Sequence, residues 1–412
     1  MEESERQVDS VQRERRDFLL RVAELLHAYG TPAYRLERVL TKVALSLGET
    51  ASFLSTPTSV FASFGRGPGN ENHLLRGESG EVNLAKLADF DELLEAVEAG
   101  SLSPAQATER LDQVLAAPSR FPGPVAALGQ GVAAAGAAVF FGGGPAEIGV
   151  TFVLALGVFL LGRVLPRQPD AVGLYEPLSA FLASFVALGV GRTLFELDDR
   201  VVTLASLIVL LPGLSLTTGL TELAMRHLVS GVARIAGAAA VFLTLLFGVA
   251  LAWRLGPLVF GAEHGAAPPP AALPPWSLWV TALISPIAFG VVLEARRRDL
   301  GVIFAAGFAG YLAAQGGNAS LGPDVGPFLG ALVVGLCSNA YARISNRPAL
   351  VPMTPGILFM VPGSLGFKSL TSFLEDEAVT GVAWAFDTGL VAIALVGGLL
   401  AANVLLPPRR VL

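Results

Sequence analysis

Three ionisable side chains stand in stretches otherwise almost free of charge: Glu222, Arg234 and Asp387. An ionisable group at the centre of a membrane helix costs at least ~2.5–3.5 kcal/mol, so each is a functional candidate. Arg234 offers a planar fork of donors that suits a carboxylate, either a bound one or one of the protein's own. Snorkelling towards the nearer surface is the plainer reading. Asp387, within Trp384-Ala-Phe-Asp-Thr-Gly389, has apolar flanks; burial disfavours a charged carboxylate, which suits a proton carrier. Glu222 is followed four residues later by Arg226, a helix pair worth about 0.2–0.5 kcal/mol on its own.

Hydroxyls gather beside two Pro-Gly steps. Pro212-Gly213 is followed by Ser215, Thr217, Thr218 and Thr221, and Pro362-Gly363 by Ser364, Lys368 and Ser369. A proline frees a backbone carbonyl that hydroxyls can satisfy; if the helix breaks there, the same hydroxyls line a polar path. Lys368 fits either that path or a boundary anchor. Asn339 is polar within an apolar run and suits an interhelical hydrogen bond. Glu176 suits the first turn of a helix, where an acid meets the positive end of the dipole.

Other chemistries are excluded by what is missing. The single cysteine, Cys337, cannot build a disulfide, zinc or iron–sulfur site within the chain. G-x-x-x-x-G-K, H-E-x-x-H and G-x-S-x-G do not occur, and no basic tract points to nucleic acid. No cofactor and no metal are expected.

The elements that must position these residues follow from where charge is absent. The first 120 residues hold 32 charged side chains; the remaining 292 hold 30. The first 17 residues lack an apolar core, which reads as no signal peptide and a cytoplasmic N-terminus. Helical spacing runs from Asp17 to Tyr29 and stops at Gly30, and Thr31-Pro32 restarts a helix to about Leu47. Two strands fit Ala51–Phe64, with a third at Asn72–Arg76. Helices fit Asp91–Ala99 and Pro104–Ala116, the second opened by a Ser103/Gln106 capping box.

Beyond residue 121, about 20 apolar residues suffice to span a bilayer. Ten such stretches are read: 124–142, 146–165, 176–195, 201–222, 228–254, 275–294, 299–315, 324–342, 348–370 and 379–406. Ten arginines then fall on the inner side against four basic residues outside, and Trp253, Trp276, Trp279 and Trp384 fall near the outer boundary. The fourth stretch is interrupted by Pro212 and the ninth by Pro352, Pro355 and Pro362, so each is broken or re-entrant.

The two Pro-Gly segments echo each other. Leu211-Pro-Gly-Leu-Ser-Leu-Thr-Thr-Gly-Leu-Thr-Glu-Leu223 and Val361-Pro-Gly-Ser-Leu-Gly-Phe-Lys-Ser-Leu-Thr-Ser-Phe373 lie 150 residues apart. Five stretches per half would make the halves inverted repeats, the arrangement that points to a secondary transporter's site. The same offset carries Arg234 to position 384, one turn from Asp387, so these two are expected to meet across the halves.

Leu26-His-Ala-Tyr-Gly-Thr-Pro-Ala-Tyr-Arg-Leu-Glu37 resembles the N-terminal signature of the threonine/serine exporter family, approximately L-h-x-x-G-a-P-s-x-R-x-E. Leu211-Pro-Gly213 with Glu222 and Ser230-Gly-Val-Ala-Arg234 resembles its first membrane half; Ser338-Asn-Ala-Tyr-Ala-Arg343 and Val361-Pro-Gly-Ser364 resemble the second. The resemblance implies a ten-helix proton-driven exporter of threonine and serine with a cytoplasmic N-terminal domain. Split two-chain members look like dicarboxylate exporters, which makes a small dicarboxylate such as succinate the alternative substrate. His27, Gly30, Pro32, Arg35 and Glu37 carry the signature; helix capping, domain packing, docking or regulation would each explain Arg35 and Glu37.

The expected fold is therefore an all-α polytopic membrane protein, about ten transmembrane helices in two inverted five-helix repeats, with a small N-terminal α+β cytoplasmic domain. The expected divisions are 1–120, a first half over 121–256, an outer loop over 257–275 and a second half over 276–412. The expected function is secondary export of small hydrophilic amino acids across the inner membrane, both termini cytoplasmic, and no enzyme activity. A dicarboxylate exporter and a membrane-anchored hydrolase are the alternatives. The partners are a small substrate and the bilayer, and whether the protein is a homo-oligomer stays open.

Overall fold

The computed structural model describes residues 2–67, 69–77, 80, 82–165, 173–261, 270–322, 325–358 and 360–409. The N-terminal unit begins with α1 (Glu2–Ala28), which starts well ahead of Asp17. Its early residues are Glu, Gln and Arg, good helix formers that extend the helix past its apolar stripe. Phe18, Leu19, Val22, Leu25 and Leu26 of that stripe are buried. Gly30 ends the helix at φ 72°, a left-handed position that lets Thr31 N–H reach back to Leu26 O.

The second helix, α2 (Ala33–Ser46), starts one residue later than the sequence suggests. Pro32 stands at its cap position with no side-chain hydrogen bond, and the Thr31 hydroxyl is buried without a partner. Three antiparallel strands follow in the order β1 (Ala51–Thr56), β2 (Ser59–Phe64) and β3 (Glu71–Arg76). Leu54, Phe61 and Leu74 pair across the exposed face, while Val60, Ala62 and Phe64 face the α1–α2 core. Helix α3 (Leu84–Glu98) starts a full turn and more before Asp91, capped by Asn83. Helix α4 (Pro104–Ala116) carries the expected Ser103/Gln106 capping box.

The remaining elements among the described residues are helices: α5 (Gly123–Phe140), α6 (Pro145–Val164), α7 (Tyr175–Thr193), α8 (Asp199–Ser206), α9 (Gly213–Ala224), α10 (Leu228–Phe260), α11 (Trp276–Val292), α12 (Leu300–Leu321), α13 (Gly326–Ser345), α14 (Leu350–Leu358), α15 (Gly363–Leu374) and α16 (Ala378–Leu405). Among the described residues seven stretches are long and apolar enough to cross a membrane, counting α14 and α15 as one. Helix α11, at 17 residues, is apolar but shorter. Helix α10 runs on to Phe260, so the loop expected from 257 begins at Gly261, and residues 262–269 lie outside the described residues.

Both Pro-interrupted stretches are broken helices. Helix α8 stops before Pro212 and α9 starts at Gly213; α14 stops before Pro362 and α15 starts at Gly363. The 150-residue offset extends to the caps. Arg226 (φ 66°) and Asp376 (φ 61°) are both left-handed non-glycine residues, each ending the helix before α10 or α16. His227 N–H returns to Glu222 O, and Glu377 N–H to Ser372 O, the same closing bond in each half.

The breaks cross at close range. A Cβ built on Gly213 would lie 2.9 Å from Gly363 N, and one built on Gly363 would lie 3.2 Å from Gly213 Cα. Only glycine lets the two backbones approach so closely. From that crossing, α9 runs towards the N-terminal unit, where Glu222 meets Ala33. Helix α15 runs the other way, to the far end, where Glu375 pairs with Arg200 at 3.0 Å. Trp276 and Trp279 are exposed at the start of α11, but Trp253 turns inward, with its indole nitrogen buried.

Candidate functional site

The N-terminal unit sits across one end of the helical part and touches both halves. Its α3 anchor lies on the second half. Leu84 and Ala85 N–H donate to the carbonyls of Leu293 and Glu294 at 3.0 and 3.1 Å, so the open start of α3 meets the open end of α11. Arg296 pairs with Asp89 and Glu92, Arg298 also reaches Glu92, and Asn83 donates to Glu294. Burial alone would raise Glu92, yet the hydrogen bond and charge of Arg296, with Arg298 and Arg347 behind it, hold its carboxyl below the usual range.

The α2 anchor lies on the first half and centres on Glu222. This carboxylate is fully buried at the end of α9. Its Oε1 accepts the Ala33 N–H at 2.9 Å, which supplies from another part of the chain the cap that α2 lacks. Both oxygens also accept from Arg234 on α10, Nε to Oε2 at 3.1 Å and Nη2 to Oε1 at 3.2 Å. Around it, Ser230 donates its hydroxyl to Ser55 O, Glu37 accepts the Ser55 N–H at 2.8 Å, and His227 Nδ1 lies 3.5 Å from Glu37 Oε2.

Between the two anchors lies a cavity of about 70 Å³. One wall is α9, with Leu214, Thr217, Thr218 and Thr221; another is α14, with Leu350, Met353, Thr354 and Ile357; Gly30, Pro32, Tyr34 and Arg35 of the N-terminal unit close it. Thr217, Thr218 and Thr221 fall on one helical face by their spacing. The Thr217 hydroxyl donates to Gly213 O and that of Thr221 to Thr217 O, which leaves their oxygens able to accept. Arg35 is buried, donating from Nε to Tyr34 Oη at 3.2 Å and from Nη2 to Met353 Sδ at 3.5 Å. The site can therefore offer hydroxyls and a guanidinium to a small polar molecule.

Several expected pairings are corrected. Arg234 meets Glu222, not Asp387; Asp387 is exposed on α16. Glu222 does not pair with Arg226, which its left-handed cap position points outward and leaves exposed. Arg35 and Glu37 lie inside α2 and face the helical part, so neither caps a helix. The signal that marks Arg35 is its place on the buried stripe of α2, between Leu36 and Val39 on one side and Ala33 on the other.

The remaining candidates fall elsewhere. His27 reaches Gly77 O at 3.0 Å within the N-terminal unit. Asn339 joins α13 to α16 through Asn403 Oδ1 at 2.9 Å, the interhelical bond expected of it. Ser215 and Ser364 are half-buried next to the crossing. Lys368 lies on the far side of the crossing, its Nζ 5.3 Å from the Phe141 ring centroid and 5.7 Å from that of Trp384.

Long apolar helices, two crossing breaks and a polar cavity beside them define a polytopic helical membrane protein. The threonine/serine exporter family model ThrE matches residues 17–256, and a second threonine/serine exporter model of that family matches residues 278–405. The chain belongs to the threonine/serine exporter family. Among curated proteins it is similar to "Pheromone-regulated membrane protein 10" of Candida albicans (strain WO-1), 28% identical over 88% of this chain and 33% of that protein. The same-named proteins of Yarrowia lipolytica (29% over 85% of this chain and 30% of that protein) and Kluyveromyces lactis (25% over 97% and 44%) are also similar. The chain thus spans 30–44% of the length of these relatives. No solved structure matches.

Proposed function

We propose that this chain is a secondary active transporter, not an enzyme, that exports threonine and serine in exchange for protons. The single observation that carries the reading is the hydroxyl-lined cavity beside the Gly213–Gly363 crossing, with Arg35 in its wall. A guanidinium suits the carboxylate of an amino acid, and threonine hydroxyls suit its ammonium and side-chain hydroxyl. Thr217, Thr218, Thr221 and Arg35 are the binding residues in this reading. Glu222 follows Thr221 of the cavity wall and pairs with Arg234, so this reading assigns coupling to that pair and not to Asp387, which is exposed on α16.

Ten crossings in two inverted halves fit the crossing breaks, the caps 150 residues apart and the opposed runs of α9 and α15. The N-terminal unit and both termini lie on the cytoplasmic side of the inner membrane in this reading. Arg296, Arg298 and Arg347 lie by Glu92 of that unit, and the exposed Trp276 and Trp279 stand at the start of α11, whose other end meets α3.

One observation favours a dicarboxylate instead: no acidic residue is among the described residues of the cavity lining. The test is counterflow from preloaded proteoliposomes with labelled threonine, serine, succinate and alanine, with and without a pH gradient. Threonine and serine flux that rises with an inward proton gradient is expected. Succinate flux without threonine or serine flux would defeat the reading.

A further inference from the structure

The two anchors of the N-terminal unit differ in build. The α3 anchor is redundant: two backbone hydrogen bonds, the Arg296 pairs with Asp89 and Glu92, and an apolar contact of Leu84 and Ala88 with Ala295 and Val351. The α2 anchor centres on one carboxylate. Glu222 is shared by the Arg234 fork and the Ala33 N–H. The residues on either side of this contact line the cavity: Thr221 before Glu222, Tyr34 and Arg35 after Ala33. The grip on α2 therefore sets whether the cavity is covered.

The charge on Glu222 strengthens that grip. A carboxylate at the start of a helix is favoured by the helix dipole as well as by the hydrogen bond. Helix α2 has no substitute, because Pro32 supplies no cap and the Thr31 hydroxyl has no partner. Other contacts across this edge include the Ser230–Ser55 hydrogen bond, the His227–Glu37 approach at 3.5 Å, the Arg35–Met353 hydrogen bond and the tilted Tyr34–His227 ring pair.

We propose that the N-terminal unit is the inner gate of the transport pathway, opening by release of its α2 edge while α3 stays docked, with Glu222 as the positioning residue that latches it. The inference rests on the cavity lying in the pathway, not on which substrate uses it.

The test uses the full chain with Cys337, its one cysteine, changed to serine, and Thr218→Cys as a reporter inside the cavity. In nanodiscs, a charged maleimide should label Thr218→Cys at least tenfold faster when Glu222→Gln is added. An unchanged rate in that folded variant overturns the latch. A second measurement avoids any folding defect of Glu222→Gln. Ser55→Cys with Ser230→Cys, on residues that meet through the Ser230 hydroxyl and the Ser55 carbonyl, is oxidised, and the disulfide trapped between them pins the gate shut. Closing the bridge should cut threonine counterflow at least tenfold and reduction should restore it; full flux with the bridge formed overturns the gate. If the parent protein moves neither threonine nor serine, the substrate reading fails, and the labelling rate, which needs no substrate, decides the gate alone.

Discussion

Glu222 and Arg234 sit on two helices joined by a tight left-handed turn at Arg226, so a pair twelve residues apart closes into a bidentate contact. Both were visible in the sequence as charges in apolar surroundings. Their pairing was not, because the i, i+4 neighbour Arg226 and the offset partner Asp387 were equally available on paper. Burial decides it: a fully buried carboxylate without its cation leaves an uncompensated charge, which typically costs about 3–5 kcal/mol. Arg234→Ala is therefore expected to lower stability by about that amount, read as a drop in the thermal midpoint of detergent-solubilised protein. Adding Glu222→Gln to Arg234→Ala should recover part of the loss, because the buried charge goes with its partner. No recovery would mean that Arg234 acts through packing alone.

At the scale of elements, the Pro-Gly steps announced the breaks, and the 150-residue echo announced that the two were related. What the echo could not say is that they touch. Gly213 is tight enough that an added Cβ would lie 2.7 Å from Val361 Cγ1 and 3.1 Å from Gly363 Cα. Overpacking of this kind costs about 1–3 kcal/mol. Gly213→Ala is expected to lower the thermal midpoint accordingly and to reduce threonine counterflow. Gly301→Ala, on α12 where nothing lies within 4 Å of the new methyl, is the control and should leave the midpoint unchanged or slightly raised. Equal effects of the two changes would mean that the crossing tolerates a methyl. The ends of the short helices were less legible than their middles. Helix α1 starts earlier than its apolar stripe because Glu, Gln and Arg extend a helix without marking a face, whereas the turns of α3 ahead of Asp91 carry buried Leu84, Ala85, Leu87, Ala88 and Phe90.

Across the whole molecule, docking of the N-terminal unit ties stability to pH. Glu92 is held below its ordinary pKa by Arg296, against the opposing effect of burial. A depressed carboxylate contributes stability that is present above its unfolded pKa and lost as the pH falls through the folded value. The thermal midpoint is thus expected to fall as pH drops below the ordinary glutamate range. Arg296→Ala should lower the midpoint at neutral pH and flatten that acid slope. An equal slope in the parent and in Arg296→Ala would place the pH dependence elsewhere. At the far end Glu375 has the opposite tendency. Burial raises it against the lowering effect of Arg200, and Glu377, Asp199 and Asp198 add to the rise. Acidification therefore neutralises Glu375 earlier than an ordinary glutamate and loosens its tie to Arg200.

The sequence by itself determined the class of molecule, the two Pro-Gly interruptions and the family signature. Each of these is local: composition, a Pro-Gly step or a motif is complete within a few dozen residues. Periodicity marks which face of a helix is buried but not what it is buried against. Only the tertiary structure joined Ala33 to Glu222, 189 residues apart, and Arg35 to Met353, 318 residues apart. Those contacts turned a charged N-terminal segment into the cover of a cavity, since a carboxylate buried there is stable only with the partners that the fold brings to it.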